Sequence, residues 1–294
     1  REVMRDPSQL DTEIRAYLEA ENAYTAAQMA GTEDLQETLF AEMRGRIKED
    51  DDTVPAPDGP WEYFVRFVEG GEHPVFCRQP RGGGDDQTLI DGNALSKGKP
   101  YFQLGGVDHS PDHRLVAYGY DDKGSEYYTV RLREADGGSE LADEIADTTG
   151  GVEWADAQSF YYVRLDENHR PLRVFRHVLG TPAEQDTLVY EELDEGFYVG
   201  VGSTQSRRFI IIQTGDHQTS EIRLIDTTQP NREPVLVAAR EPGHEYDVAH
   251  WGDQLLIRTN EGGAEDFKIM TAPTDAPGRE NWRELIPHKE GRLI

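Results

Sequence analysis

The chain has 294 residues, enough for two ordinary domains or for one large all-β domain with an appendage. Its 57 acidic against 30 basic residues give a formal net charge of −27, which repels phosphate backbones and anionic membrane surfaces and argues against nucleic acid or membrane as a partner. Cys77 is the only cysteine, so no intrachain disulfide can form, and no apolar run approaches the roughly 20 residues of a bilayer-crossing helix. The charge and the cysteine usage suit a cytoplasmic setting.

From Leu10 to Met29 the apolar positions Leu10, Ile14, Tyr17, Leu18, Tyr24 and Met29 fall mostly at helical spacing, with Asp11 near the start and Gly31 placed as a stop. Thr32 is placed to cap a second helix, in which Leu35, Leu39, Met43 and Ile47 recur every four residues until the acidic run "KEDDD". Both stripes predict packing faces, against each other or against a neighbouring domain. Residues 1–52 are thus expected to form an N-terminal helical segment.

After the Pro-rich "TVPAPDGP" the texture changes to short runs of Val, Ile, Tyr and Phe punctuated by Gly, Asp and Asn. Segments beginning at Val107, Val152, Val201 and Val248 superimpose, with starts 45, 49 and 47 residues apart, and a degenerate copy begins at Trp61. Each reads as strand, tight turn, strand, polar tip, strand, and a looser fourth strand. A period in the forties with four strands per unit is the signature of a β-propeller blade. The expected fold is therefore mainly β: two helices, then a propeller over 53–294 with blades near 61–93, 102–145, 148–192, 197–240 and 244–294. The opening on Arg1 and the end within the strand-like "GRLI" lead to the expectation of a fragment with further blades missing.

Catalytic motifs are scarce. No serine lies in a G-x-S-x-G elbow; Ser203 in "GVGSTQS" is the nearest lookalike and falls at a turn of the repeat. "VGVG" lacks the third glycine and the helix that phosphate cradling needs. His109 and His113 have the spacing of a helical metal pair, but Pro111 between them argues for a turn, so neither a metal nor another cofactor is expected. Paired carboxylates recur, yet acids make up about a fifth of the chain, so adjacency alone carries no chemistry. Trp154 and Trp251 read as blade packing.

"RAYLEAENAYTAAQMA", "VDHSPDHRLVAYGYDDKGSEYYTVRLR", "SFYYVRLDENHRPLRVFRHVLGT", "SRRFIIIQTGDHQTSEIRLID" and "GHEYDVAHWGDQLLIRTNEGGAEDFKIMTAP" closely resemble, in order, the non-catalytic part of the prolyl oligopeptidase family of serine peptidases, in its oligopeptidase B (protease II) branch. The resemblance implies N-terminal helices on the hydrolase side and about five of seven blades. It places the Ser-Asp-His triad in an α/β-hydrolase domain beyond Ile294, so no catalytic residue is assigned here. It implies a parent that cuts short peptides after Arg or Lys, with the propeller gating access. One departure is "SPDHR", where members of the family often read "SPDG".

In a propeller the equivalent hairpin tips fall on one rim. The tips "DDKGSE", "DENHRP", "GDHQTS" and "NEGGAE" hold eight acids in 24 positions, against about five by simple proportion. Asp121, Asp122, Asp166, Glu167, Asp216 and Glu261 are accordingly candidate binding residues, an acidic rim for basic peptides or for cations across the interface with the hydrolase domain. A stand-alone binding propeller and a five-bladed glycosidase are the competing functions.

Overall fold

The computed structural model describes residues 6–294, so the first five positions of the expected N-terminal segment lie outside it. Two compact units divide the chain: Arg1–Leu104 with Asp121–Glu126, and Gly105–Tyr120 with Tyr127–Ile294.

The first unit opens with helix α1 (Thr12–Met29), where the Asp11 side chain accepts from the Glu13 and Ile14 amides and so caps the helix as its position predicts. Helix α2 (Glu33–Arg44) follows through one 3₁₀ turn, Ala30–Thr32, so Gly31 does not separate the two helices. Thr32 does not cap α2 either: its hydroxyl donates to the Met29 carbonyl and accepts from Gln36, which leaves nothing for the α2 amides. No residue of either helix with a described side chain is buried. Tyr17, Tyr24, Leu35, Phe40 and Met43 are all more than half exposed. The apolar stripes thus find no cover among the described residues.

A sheet completes this unit: β1 (Asp51–Asp52), β2 (Ala56–Asp58), β3 (Trp61–Phe67), β4 (Val75–Pro80) and β5 (Gln87–Asp91), in spatial order β1-β3-β4-β5 with β2 also on β3. Phe64, Val75 and Cys77 form its core. Helix α3 (Gly92–Ser96) follows, capped by Asp91.

The second unit is a succession of antiparallel meanders. The first has β6 (Gln103–His109), β7 (Leu115–Asp121), β8 (Tyr128–Glu134) and β9 (Glu140–Thr148); the next has β10 (Glu153–Asp156), β11 (Ser159–Leu165), β12 (Pro171–Val178) and β13 (Thr187–Glu191). A single pairing, Arg164 with Thr148, joins these eight strands into one sheet. Two four-stranded sheets follow: β14 (Tyr198–Ser203), β15 (Phe209–Gly215), β16 (Ser220–Asp226) and β17 (Val235–Ala238), then β18 (Tyr246–Trp251), β19 (Gln254–Thr259), β20 (Lys268–Pro273) and β21 (Arg283–Ile286).

The cores sit between consecutive meanders, as strand geometry requires. Side chains alternate across a strand, and in β11 Phe160 and Tyr162 pack with Ala117, Val130, Leu132 and Ile145 of the preceding meander, while Tyr161 and Val163 pack with Val199, Ile210 and Ile212 of the following one. That explains why "SFYYV" is apolar without interruption: both faces are covered. Trp154 belongs to the first of these cores. Trp251 does not pack: it ends β18 beside the turn at Gly252 and is 71% exposed, while Trp282 fills the last core.

The repeat extends to its hydrogen bonds. In the turn after β6 the Ser110 hydroxyl accepts from the Leu115 amide; in the turn after β14 the Thr204 hydroxyl accepts from the Phe209 amide in the same way. His113 and Arg207 occupy the same step of the two turns at φ of 61° and 57°, the left-handed region that a glycine of "SPDG" would occupy without strain.

Candidate functional site

The six acidic residues of the hairpin tips serve local structure to different degrees. Asp121 is buried and accepts from the amides of Lys123, Gly124 and Glu126. Asp166 accepts from Asn168 and Arg170, and Asp216 from Gln218, which holds the exposed Asp216 carboxyl below its usual range. All three capture the amide two residues on, the side-chain turn that Asp forms readily. Asp122 pairs with Lys99 at 3.0 Å, and Glu261 accepts from Arg279 at 2.6 Å. Glu167 is exposed and has no partner among the described residues. The acids that recur at these tips therefore have a conformational cause, and their charge stays at the surface for all but Asp121.

A cavity of about 390 Å³ in the second unit lies among β6, β7, β10 and β14, the first strands of three successive meanders with one second strand. Asp108, Glu153, Ser203 and Arg207 supply its charged and hydroxyl groups. Its backbone wall depends on glycine: a β-carbon on Gly119 would stand 2.1 Å from the Gly150 carbonyl oxygen, and one on Gly106 would stand 2.9 Å from the Gly151 α-carbon. Glu153 is partly buried; burial raises its carboxyl above the ordinary value, the charge of Asp108 adds to this, and the Ser203 hydroxyl and Arg207 oppose it. Sequence reasoning singled out Ser203 only as a rejected nucleophile and missed the other three. The available signal was positional: the residue after the leading valine is Asp108 and Glu153 in two consecutive repeats, and Gly202 and Ala249 in the next two.

Two buried ionic junctions tie neighbouring meanders together. His177 on β12 is fully buried, with Nδ1 2.8 Å from Asp186 Oδ1 and Nε2 2.9 Å from Asp143 Oδ1, Asp143 lying on β9 of the preceding meander. The Tyr162 hydroxyl and the Gly180 amide donate to the same two carboxylates at 2.8 and 2.6 Å. Burial alone would lower the His177 pKa; the two carboxylates outweigh it and raise the imidazole above its ordinary value. Further on, Arg240 donates to Glu192 and, at 3.2 Å, to Glu221. Burial pushes both carboxyls up, but Arg240 and nearby amides hold both below their ordinary values.

Successive four-stranded antiparallel meanders with cores between them, preceded by helices, define a β-propeller type of fold. Residues 2–294 match the model of the "Prolyl oligopeptidase, N-terminal beta-propeller domain", and the chain belongs to that family. Among its relatives, dipeptidyl aminopeptidase BI of Pseudoxanthomonas mexicana is 40% identical over 99% of this chain and 43% of its own length. Protease 2 of Moraxella lacunata is 31% identical over 97% of this chain and 42% of its own. Oligopeptidase B from Leishmania major superimposes with a TM-score of 0.90 at 31% identity, covering 98% of this chain and 41% of that one. The chain thus spans about two fifths of the length of the relatives it matches.

Proposed function

We propose that this chain is the access-controlling propeller of a serine oligopeptidase that cleaves short peptides after Arg or Lys. The observation that carries the reading is the near end-to-end superposition on oligopeptidase B at a TM-score of 0.90, over 41% of that protein's length. The bare apolar stripes of α1 and α2 support it. Ten large apolar side chains from Ile14 to Ile47 are between 45% and 66% exposed, a surface suited to cover by the family's hydrolase domain. The acidic tips Asp122, Asp166, Glu167, Asp216 and Glu261, with the buried Asp121, then add a negative field that attracts basic peptides. Family membership favours this reading over a stand-alone scaffold or a glycosidase.

A second reading is favoured by one observation, the 40% identity to dipeptidyl aminopeptidase BI, against 31% to protease 2. On that reading the parent removes dipeptides from free amino termini. The two are separated in the full-length protein with a pair of fluorogenic Xaa-Arg amides, one with a free and one with an acylated amino terminus. Cleavage of both supports the oligopeptidase; cleavage of the free form alone supports the aminopeptidase.

A further inference from the structure

The cavity behind β6, β10 and β14 has a second compartment. A space of about 300 Å³ adjoins it, lined chiefly by Val152, Val163, Pro171, Val199 and Val201, and Gly151, Val152 and Glu153 border both spaces. The charged compartment holds two carboxylates, Asp108 and Glu153, against one guanidinium, Arg207. This balance of one excess negative charge, with two carboxylates on one recess, favours a cation. The apolar compartment beside it favours an aliphatic portion on the same ligand.

We propose that this two-part cavity is a peptide-binding site distinct from the acidic tips. It takes the ammonium or guanidinium of a short peptide at Glu153 and Asp108 and lays the adjoining aliphatic carbons against Val199 and Val201. The inference rests on the peptide-handling reading above and deepens it by naming the recognised group. Glu153 is the principal contact because it borders both compartments, and its burial, which disfavours the bare carboxylate, is relieved when a cation arrives. Glycines at 106, 119 and 150 let the wall itself pack closely, since a β-carbon on any of them would strike neighbouring backbone or the Tyr128 ring.

The test is calorimetric titration of the 294-residue chain with three peptides: acetyl-Ala-Arg-Ala-amide, Ala-Ala-Ala-amide with a free amino terminus, and acetyl-Ala-Gln-Ala-amide. At least one cationic peptide should bind and the neutral one should not; which cationic peptide binds assigns the group to a side chain or to the amino terminus. Glu153→Gln and, separately, Asp108→Asn should weaken that binding by about tenfold or more, as expected for loss of a charge-assisted contact. Unchanged far-UV dichroism and melting temperature show that each variant is folded. Equal affinity for all three peptides, no binding of any, or undiminished binding by folded Glu153→Gln would overturn the proposal. None of these outcomes touches the cleavage reading, which is measured separately in the full-length protein.

Discussion

His177 is fully buried between two carboxylates, Asp143 on β9 and Asp186 in the loop before β13, and removing it should be among the most damaging substitutions in the second unit. Replacing it with Ala leaves Asp143 and Asp186 buried without their shared cation and opens a cavity beside Phe160, whose ring centroid lies 5.1 Å from the imidazole. Breaking a buried pair by deleting one partner costs roughly 3–5 kcal/mol. For a unit of this size that corresponds to a melting temperature lower by on the order of 10 °C. The pH dependence gives the sharper readout. The folded-state pKa is raised, so the contribution is fully present below the ordinary histidine value of about 6.5 and is lost as pH rises through the raised value. The parent should therefore lose stability on the alkaline side of about pH 6.5, and the His177→Ala variant should lack that component of the slope. Urea denaturation followed by Trp154 emission is the assay, since the indole packs 5.3 Å from Phe160 in the same core. A cost below about 1 kcal/mol, or an unchanged pH slope in the variant, would refute the assignment of this cluster as a junction between meanders.

The second junction has the opposite dependence. Glu192 and Glu221 are held below their ordinary carboxyl values, so their contribution is present above about pH 4.5 and lost as pH falls through the lowered values; Arg240→Ala should cost roughly 3 kcal/mol at neutral pH and flatten the acid limb of the stability profile. Gly119→Ala forces a β-carbon against the Gly150 carbonyl and should lower the urea midpoint by the equivalent of about 1–3 kcal/mol or prevent folding, whereas Gly31→Ala, which meets nothing, should not destabilise. Ser110→Ala removes the buried hydroxyl that accepts from the Leu115 amide and should cost about 1–2 kcal/mol by the same assay. In the full-length protein, neutralising Asp166, Glu167 and Asp216 together to Asn and Gln should lower kcat/KM for dibasic peptides at low salt and leave neutral peptides unaffected; equal effects on both would remove the acidic tips from specificity.

The propeller was legible because its strands repeat a physical pattern: apolar alternation, a side-chain-capped turn and a polar tip, visible as Ser110 to Leu115 and again as Thr204 to Phe209. The acidic tips were equally visible, but their local cause was not, since capture of the next-but-one amide by Asp121, Asp166 and Asp216 is a matter of backbone conformation. The junction residues were hidden for a different reason. Asp143 lies 34 residues from His177 and Asp186 nine, and each falls within a stretch that reads as ordinary strand or loop polarity until the chain is folded. Thr32 was misleading because a hydroxyl placed to cap a helix can instead bond to the preceding turn, as it does with Met29. Trp251 and Trp282 look alike in composition, and only their positions relative to the last core separate them.

Substrate length tests most directly the proposal that this propeller restricts an attached peptidase to short substrates. In the full-length protein, kcat/KM would be measured for one Arg-containing cleavage sequence placed in a short peptide, in a long unstructured peptide and in a folded protein loop. Efficient cleavage of the short peptide and steep loss with length are expected. Equal cleavage of the short and long forms would contradict the proposal.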